Sequence, residues 1–321
     1  MTRILFVTSN RIGDAVLSTG LLDHLLSTTP DARVTVACGP LPAPLFAAAP
    51  GVERVLTMTK APRGGHWLRL WRQTVTTPWS LVVDLRASAL AWLLPTRTRL
   101  VFQPSHAAVH RVRQLGALVG RADDPPAPRL WTSPEDAALA AALVPAGRPV
   151  LAVGPTANWG GKQWPADRFI EAIARLTGPD GILPDAAVAI VAAPNERAAA
   201  EPVLASLPED RRIDLIGKGS LPVIGACLGR CAFYLGNDSG LMHMAAAAGT
   251  PTLGVFGPSR EDLYAPWGPR AAWVRTPQSF QDLITAPDYD HRSAKTHMAG
   301  LEVPTVITAA EALWRRVGNP C

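Results

Sequence analysis

A polar turn that begins at Asp238 is the stretch of this sequence best suited to hold a ligand. Asp238, Ser239 and Gly240 follow a short apolar run and open a small-residue helix, which carries His243 one turn along the same face. Free N–H groups at the start of such a helix, with the positive end of its dipole, favour an anion such as a diphosphate. Asp238 is placed to cap the helix or to accept from a sugar hydroxyl. A capped helix with a hydrogen-bonded histidine is the simpler interpretation, but four suitable groups together favour a binding site.

A second polar turn, residues 154–165, precedes another predicted helix. Its glycine pair, Gly160 and Gly161, stands beside Lys162, so backbone N–H groups and an ammonium can both approach a phosphate. The spacing is not that of a P-loop, because the glycines and the lysine do not follow the G-x-x-x-x-G-K-[ST] pattern. Lys162 is therefore either a phosphate contact or a surface lysine, and Trp164 is expected to anchor the core.

The first predicted strand ends in a third polar turn, which contains Asp14. A general base at the first strand-to-helix turn of a domain would reach a hydroxyl bound at the edge of the sheet. The alternative is an ordinary carboxylate at a helix start, where the dipole favours the ionised form. The turn lacks the glycine pattern of dinucleotide-binding domains.

Apolar runs alternate with helical stretches along the whole chain of 321 residues. The predicted strands are Arg3–Thr8, Arg33–Ala37, Arg54–Met58, Leu81–Asp84, Val150–Val153, Val188–Val191, Arg212–Leu215 and Ala232–Leu235. A further strand is predicted between the small-residue helix and the Gly-Pro pair at 257–258. This β–α repetition predicts two doubly wound α/β domains with parallel sheets, residues 1–145 and 146–321, joined by a proline-rich linker. We expect the ligand site in a cleft between the domains and the last helix to pack back on the first one.

The two predicted domains differ in charge. Residues 1–145 carry 15 Lys and Arg against 9 Asp and Glu, whereas residues 146–321 carry 16 against 17. An acidic partner is therefore expected for the first domain. The segment His66–Arg72 interleaves aromatic and basic residues, as in an amphipathic helix at a membrane surface or in an ordinary exposed helix. A nucleic-acid partner is not expected, because the sequence contains no nucleic-acid-binding motif.

Composition narrows the protein class further. No apolar run reaches the 18 residues of a membrane-spanning helix, and the apolar run at the N-terminus is too short for a signal peptide. A cytoplasmic location is therefore expected, at the inner face of the cytoplasmic membrane if the basic domain binds lipid. The four cysteines lack metal-knuckle or redox spacing, and Cys227 and Cys231 are expected in the core. Neither a metal nor any other cofactor is expected.

Three segments together resemble those of glycosyltransferase family 9, the bacterial lipopolysaccharide heptosyltransferases. They are Asp238–His243 with its downstream Gly-Thr-Pro and Phe-Gly-Pro-Ser, the loop Lys162–Pro165, and the turn Ile12–Asp14. The first is the most specific, and the resemblance spans essentially the whole chain. It implies a GT-B type fold of two Rossmann-like domains, with an ADP-heptose donor held by the second domain and an acceptor held by the first.

The resemblance also assigns roles to residues. It makes Asp14 the catalytic base and Lys162 a contact of the donor phosphates. It places four residues around the sugar nucleotide, Asp238, Ser239, Gly240 and His243, and Glu196 on the donor ribose. Family members often carry two hydroxyl residues four and five positions before the lysine, where this chain has Asn158 and Ala157, with Thr156 one further back. Thr156 and Asn158 are therefore candidate donor contacts in a rearranged phosphate site.

The acceptor residues are predicted mainly from charge. Arg11, Gly13, Arg63, Arg69 and Arg97 are the candidates in the basic first domain. The resulting hypothesis is an inverting, metal-independent transfer of heptose from ADP-heptose to a phosphorylated lipid–sugar acceptor of the lipopolysaccharide inner core. A different nucleotide sugar, a non-catalytic nucleotide-sugar or glycan binder, and an epimerase or hydrolase of the same architecture remain alternatives.

Overall fold

The structure is a computed structural model that describes residues 2–104, 107–287, 289–290 and 295–318. The chain divides into two compact units, Met1–Ser133 and Pro134–Cys321. Each unit is built on one parallel sheet with helices between the strands, which confirms the prediction of two doubly wound α/β domains. The division falls earlier than the predicted boundary at 145/146, because helix α4 (Pro134–Leu143) packs on a helix of the second unit.

The first unit contains five strands in the order β3-β2-β1-β4-β5. The strands are β1 (Arg3–Val7), β2 (Arg33–Cys38), β3 (Val52–Thr57), β4 (Trp79–Asp84) and β5 (Thr96–Val101). The helices are α1 (Ile12–Thr28), α2 (Gly65–Thr74) and α3 (Arg111–Ala117). Ile4, Leu5, Phe6 and Val7 are all completely buried, as expected of a central strand covered on both faces.

The second unit contains six strands in the order β11-β10-β9-β6-β7-β8. The strands are β6 (Val150–Gly154), β7 (Ala187–Ile190), β8 (Arg212–Asp214), β9 (Phe233–Asn237), β10 (Thr252–Phe256) and β11 (Ala271–Arg275). After α4 the helices are α5 (Ala166–Thr177), α6 (Arg197–Ala205), α7 (Leu221–Gly229), α8 (Gly240–Ala247), α9 (Glu261–Tyr264), α10 (Phe280–Ile284) and α11 (Val303–Val317). Helix α4 lies against α7.

The C-terminal helix α11 packs on α5, β10 and β11 of the second unit. The expected return of this helix to the first domain stays a prediction. Its apolar face, which includes Val306, Ala310 and Leu313, joins the core of that unit. This face completes the cover of the sheet on the side of the edge strand β11.

Strand order locates the two places where ligands are expected. In a doubly wound sheet the order reverses at one point, and the crevice outside the carboxyl ends of the two strands there is the usual ligand site. In the first unit this point lies between β1 and β4, which pair in parallel. In the second unit it lies between β6 and β9.

Candidate functional site

Lys162 and Asp238 meet at the switch point of the second sheet. The Lys162 ammonium donates to Asp238 Oδ2 across 2.6 Å, and the side chains are 25% and 9% exposed. Lys162 ends a single 3-10 turn after β6, whereas Asp238 directly follows β9. The two turns singled out in the sequence therefore lie together. Because lysine has three donor protons, the ammonium can bind an anionic ligand as well as Asp238.

Helix α8 begins at Gly240, two residues after Asp238. Ser239 precedes the helix in an extended conformation, and its side chain does not cap it. Asp238 does not cap the helix either, because its carboxylate binds Lys162. His243 lies one turn into α8 and is only 5% exposed. An uncapped helix start beside an ammonium is suited to an anion.

Thr156 and Glu196 form a second polar contact at this edge of the sheet. Thr156 Oγ1 donates to Glu196 Oε2 at 2.8 Å, and the Ala193 N–H donates to the same oxygen at 3.2 Å. Thr156 follows β6 and is 1% exposed, so the contact holds the turn after β7 against the turn after β6. Asn158, by contrast, is exposed on the loop that leads to Lys162. The second carboxylate oxygen of Glu196 is suited to accept from a ligand hydroxyl.

The loop that carries Lys162 is fixed from several sides. The Trp164 N–H donates to Asn237 Oδ1, and its indole Nε1–H donates to the Leu301 carbonyl, both at 2.9 Å. Trp164 is 1% exposed, which confirms it as a core anchor. The His297 N–H donates to the Gly161 carbonyl at 3.0 Å, and Thr296 Oγ1 donates to the Gln163 carbonyl at 2.5 Å. Residues 296–301 therefore brace the loop from the far end of the chain.

Asp14 lies in the first turn of α1, at the switch point of the first sheet. The Ser9 hydroxyl donates to Asp14 Oδ2 at 3.3 Å and accepts from the Arg11 N–H at 3.1 Å. The side chain is half-buried. This geometry orients the carboxylate through one oxygen and leaves the other suited to take a proton from an acceptor hydroxyl.

The turn after β4 adds residues that the sequence did not single out as site residues. Asp84 is fully buried and accepts from the N–H groups of Arg86 and Ser88 at 2.8 and 2.9 Å. Arg86 in turn donates to Asn10 Oδ1 at 3.0 Å, and its guanidinium lies 5.6 Å from the centre of the Trp67 ring. Arg86 thus joins the turns after β1 and β4. The signal in the sequence was an arginine two residues after a buried aspartate at a strand end.

A groove of about 850 Å³ opens beside Arg86. Its walls are Gly64, Trp67, Leu68, Trp71, Arg86, Ser88, Ala89, Leu90 and Leu93. Two of its apolar side chains, Leu68 and Leu93, are 49% and 63% exposed, and the neighbouring Trp92 is 66% exposed. Exposed apolar surface of this kind at a groove marks a binding surface.

The candidate acceptor residues are spread over the first unit. Arg11 is exposed at the start of α1, and Gly13 lies in its first turn next to Asp14. Arg63 and Arg69 are exposed immediately before and on α2, the helix that lines the groove. Arg97 is different, because it is the second residue of β5 and lies near the amino end of that edge strand. It is therefore remote from the carboxyl edge that carries Asp14, which speaks against an acceptor contact there.

Among the described residues, no three His, Cys, Asp or Glu side chains come together as a metal site. The sequence does contain one D-x-D pair, Asp288 and Asp290, and Asp288 lies outside the described residues. Cys227 and Cys231 are buried in the core, as expected.

A model of glycosyltransferase family 9 (heptosyltransferase) matches residues 79–285, more than half of the chain. The chain belongs to this family. As a member of family 9 it is a glycosyltransferase, and the predicted enzyme class and GT-B type architecture of two Rossmann-like domains are confirmed. Lipooligosaccharide heptosyltransferase 2 of Haemophilus influenzae is 26% identical over 317 residues, which cover 85% of this chain and 88% of that protein.

Solved structures agree on the fold of this family 9 member. A glycosyl transferase family 9 structure from Veillonella parvula matches with a TM-score of 0.78 at 20% identity, and 97% of each chain is covered. The structure of E. coli ADP-heptose lps heptosyltransferase II matches with a TM-score of 0.74 at 21% identity, and 98% of each chain is covered. Among the described residues, no helix is both long and apolar enough to span a bilayer.

Proposed function

We propose that this glycosyltransferase moves heptose from ADP-heptose to a phosphorylated lipid–sugar acceptor of the lipopolysaccharide inner core, with inversion and without a metal ion. The observation that carries the proposal is the Lys162–Asp238 pair beside the uncapped start of α8, at the switch point of the second sheet. A cation and free N–H groups stand where a departing diphosphate would gather negative charge. The names of the Haemophilus influenzae and E. coli relatives support heptose as the sugar and a lipopolysaccharide as the acceptor.

The proposed reaction is a single displacement. Asp14 takes the proton of an acceptor hydroxyl while that oxygen bonds to the anomeric carbon of the donor sugar. The bond from the anomeric carbon to the diphosphate oxygen breaks, and its electron pair leaves with ADP. Lys162 and the N-terminus of α8 stabilise the leaving group. Attack opposite the leaving group inverts the anomeric configuration.

The first unit supports an acceptor that is both anionic and apolar. Between residues 54 and 121 the sequence has eleven basic side chains and one acid. The apolar groove beside Arg86 lies in this basic region, next to the exposed Arg63 and Arg69. Such a surface suits a phosphorylated lipid–sugar and supports a peripheral position at the inner face of the cytoplasmic membrane.

The base assignment is tested by Asp14→Asn, with Asp23→Asn on the same helix as the matched control. Asp23 lies in the second half of α1 and pairs with Arg129 at 3.6 Å. Loss of a general base is expected to lower the transfer rate by about 10²–10⁴-fold. Donor affinity, measured separately by calorimetry, should not change, and the control should retain its rate. Retained turnover in Asp14→Asn would remove the base assignment.

The donor and the metal requirement need separate measurements. ADP-, UDP- and GDP-sugars are compared by calorimetry, and ADP-heptose is expected to bind most tightly. Tightest binding of a UDP-sugar would overturn the heptose proposal. Transfer should continue in EDTA, whereas activity that returns only with added divalent ions would overturn the metal-free mechanism. Release of sugar from the donor without any acceptor would instead indicate a hydrolase.

A further inference from the structure

Tyr234 places a buried hydroxyl at the carboxyl edge of the second sheet. The residue lies on β9, is completely buried, and shares a face of the strand with Gly236 two residues further on. A methyl group on Gly236 would come within 2.5 Å of the Tyr234 hydroxyl oxygen, and one on Gly154, which pairs with Gly236 across the sheet, within 2.1 Å. The ring therefore lies over these two glycines. Its hydroxyl points along the strand towards the turns that carry Lys162 and Asp238.

Neither this hydroxyl nor that of Ser239 makes a well-aligned hydrogen bond among the described residues, although the two hydroxyls lie close enough to interact. Proteins seldom leave a buried polar atom unpaired, because the lost hydrogen bonds to water are not replaced. Burial raises the pKa of Tyr234. The contact with the Ser239 hydroxyl opposes this rise in part, and the negative charge of Glu196 adds to it. The phenol is therefore protonated at neutral pH and can donate. Its electrostatic neighbours are two of the candidate donor-binding residues.

The surroundings show which ligand atom the proton would meet. Glu196 already accepts from Thr156 and from the Ala193 N–H, and as an acceptor it is suited to ligand hydroxyls. The uncapped start of α8 and Lys162 form the positive side of the site, on which an anion lies best. The Tyr234 phenol, a neutral hydrogen-bond donor beside Ser239, adds to that positive side without adding a charge that needs a partner.

We propose that the Tyr234 hydroxyl donates a hydrogen bond to the diphosphate of the bound nucleotide sugar, beside Ser239 at the start of α8. This inference rests on the proposed donor site and adds a ligand-binding residue to it. It also gives Gly154 and Gly236 a function, since only residues without a Cβ leave room for the phenol at this edge. The buried hydroxyl gains a well-aligned hydrogen bond when ADP or the donor binds.

Tyr234→Phe tests the inference, because it removes the hydroxyl and keeps the ring. A hydrogen bond to a charged group is lost, so ADP should bind about 10- to 100-fold more weakly by calorimetry. Affinity for adenosine, which lacks the diphosphate, should be unchanged. The thermal stability of the ligand-free variant should equal or exceed that of the wild type, because a buried hydroxyl without a well-aligned hydrogen bond is gone. The same replacement on α9, Tyr264→Phe, is the matched control and should leave the ADP affinity unchanged.

The possible failures are distinguishable. If the wild type binds ADP and Tyr234→Phe binds it equally well, the inference is overturned and the donor site stands. If Tyr234→Phe loses ADP and adenosine affinity alike, the effect is a change of the whole site, and the proposed diphosphate contact is overturned. A wild-type protein that binds neither ADP nor ADP-heptose would instead overturn the proposed donor site, and the inference with it.

Discussion

Replacement of Lys162 by methionine should lower both the stability of the second unit and its affinity for the donor. The change keeps the length of the side chain and removes the charge. Asp238 then remains 9% exposed with no cation 2.6 Å away. Removal of one partner from a fully buried ion pair typically costs about 3–5 kcal/mol. Because the lysine side chain is 25% exposed and water screens part of the interaction, we expect about 2–3 kcal/mol here.

The structural and functional parts of this effect separate in a double-mutant cycle. Asp238→Asn alone leaves the more exposed Lys162 unpaired, and we expect a cost of about 1 kcal/mol. The double variant, Lys162→Met with Asp238→Asn, has no buried charge left unpaired and should recover about 1–2 kcal/mol relative to Lys162→Met alone. Its donor affinity should stay low, because the ammonium proposed to bind the diphosphate is still absent. A loss of about tenfold or more in ADP affinity is expected in both variants with Lys162→Met.

The measurements are denaturant unfolding for the free energy and calorimetry with ADP for the affinity. A change of 2–3 kcal/mol in a unit of this size corresponds to a midpoint shift of about 5–10 °C in thermal unfolding. Wild-type ADP affinity in the double variant would refute the phosphate role of Lys162. Additive stability changes, with no recovery in the double variant, would refute the coupling of the ion pair.

Three further predictions test the packing and the surface. Gly154→Ala should destabilise the second unit by about 1–3 kcal/mol, because its methyl group would meet the Tyr234 hydroxyl at 2.1 Å. In denaturant unfolding, adding Tyr234→Phe should restore part of that loss. Wild-type stability of Gly154→Ala would contradict this packing. Burial raises the pKa of Cys38 and Cys231 to about 12 and that of Cys227 to about 11. In a Cys321→Ser background, these three thiols should therefore react with a disulfide reagent at pH 8 only as fast as the protein unfolds. Rapid labelling of the folded protein would contradict their burial. Leu68→Ser combined with Leu93→Ser should weaken sedimentation with anionic phospholipid vesicles severalfold without a change in ADP affinity, whereas undiminished vesicle binding would show that the groove is not the membrane-facing surface.

The central strands were predictable because burial on both faces leaves an unbroken apolar run. This holds for β1 and β6, whose residues from Ile4 to Val7 and from Leu151 to Val153 are completely buried. The sequence prediction missed β5 and β11, which are edge strands of their sheets. An edge strand is half-exposed, and β5 reads Thr-Arg-Thr-Arg-Leu-Val, with a polar pattern that also fits a loop. Tertiary pairing rather than local sequence makes it a strand.

The sequence analysis singled out the turns of Lys162 and Asp238 separately, and the topology of the sheet explains why they meet. Lys162 lies on the loop that follows β6, Asp238 directly follows β9, and neighbouring parallel strands end at one edge of a sheet. The position of Tyr234 was not predictable in this way, because it depends on glycines from two strands that only the folded sheet brings together. The hydrogen bond from Arg86 to Asn10 joins two separate turns as well. Contacts that need the register of a particular strand pair are absent from any local pattern.

The bracing of the Lys162 loop by residues 296–301 has a consequence for the order of events during synthesis. The first unit is complete by Ser133 and can fold while the rest of the chain is still being made, since domains generally fold as units from the N-terminus. The loop at Gly161–Trp164 leaves the ribosome long before its partners His297 and Leu301. The nascent chain therefore has its first unit, the proposed acceptor half, well before the proposed nucleotide-sugar site of the second unit is complete. A ribosome stalled shortly before residue 296 would carry a folded first unit and a second unit whose loop Gly161–Trp164 lacks its contacts with residues 296–301.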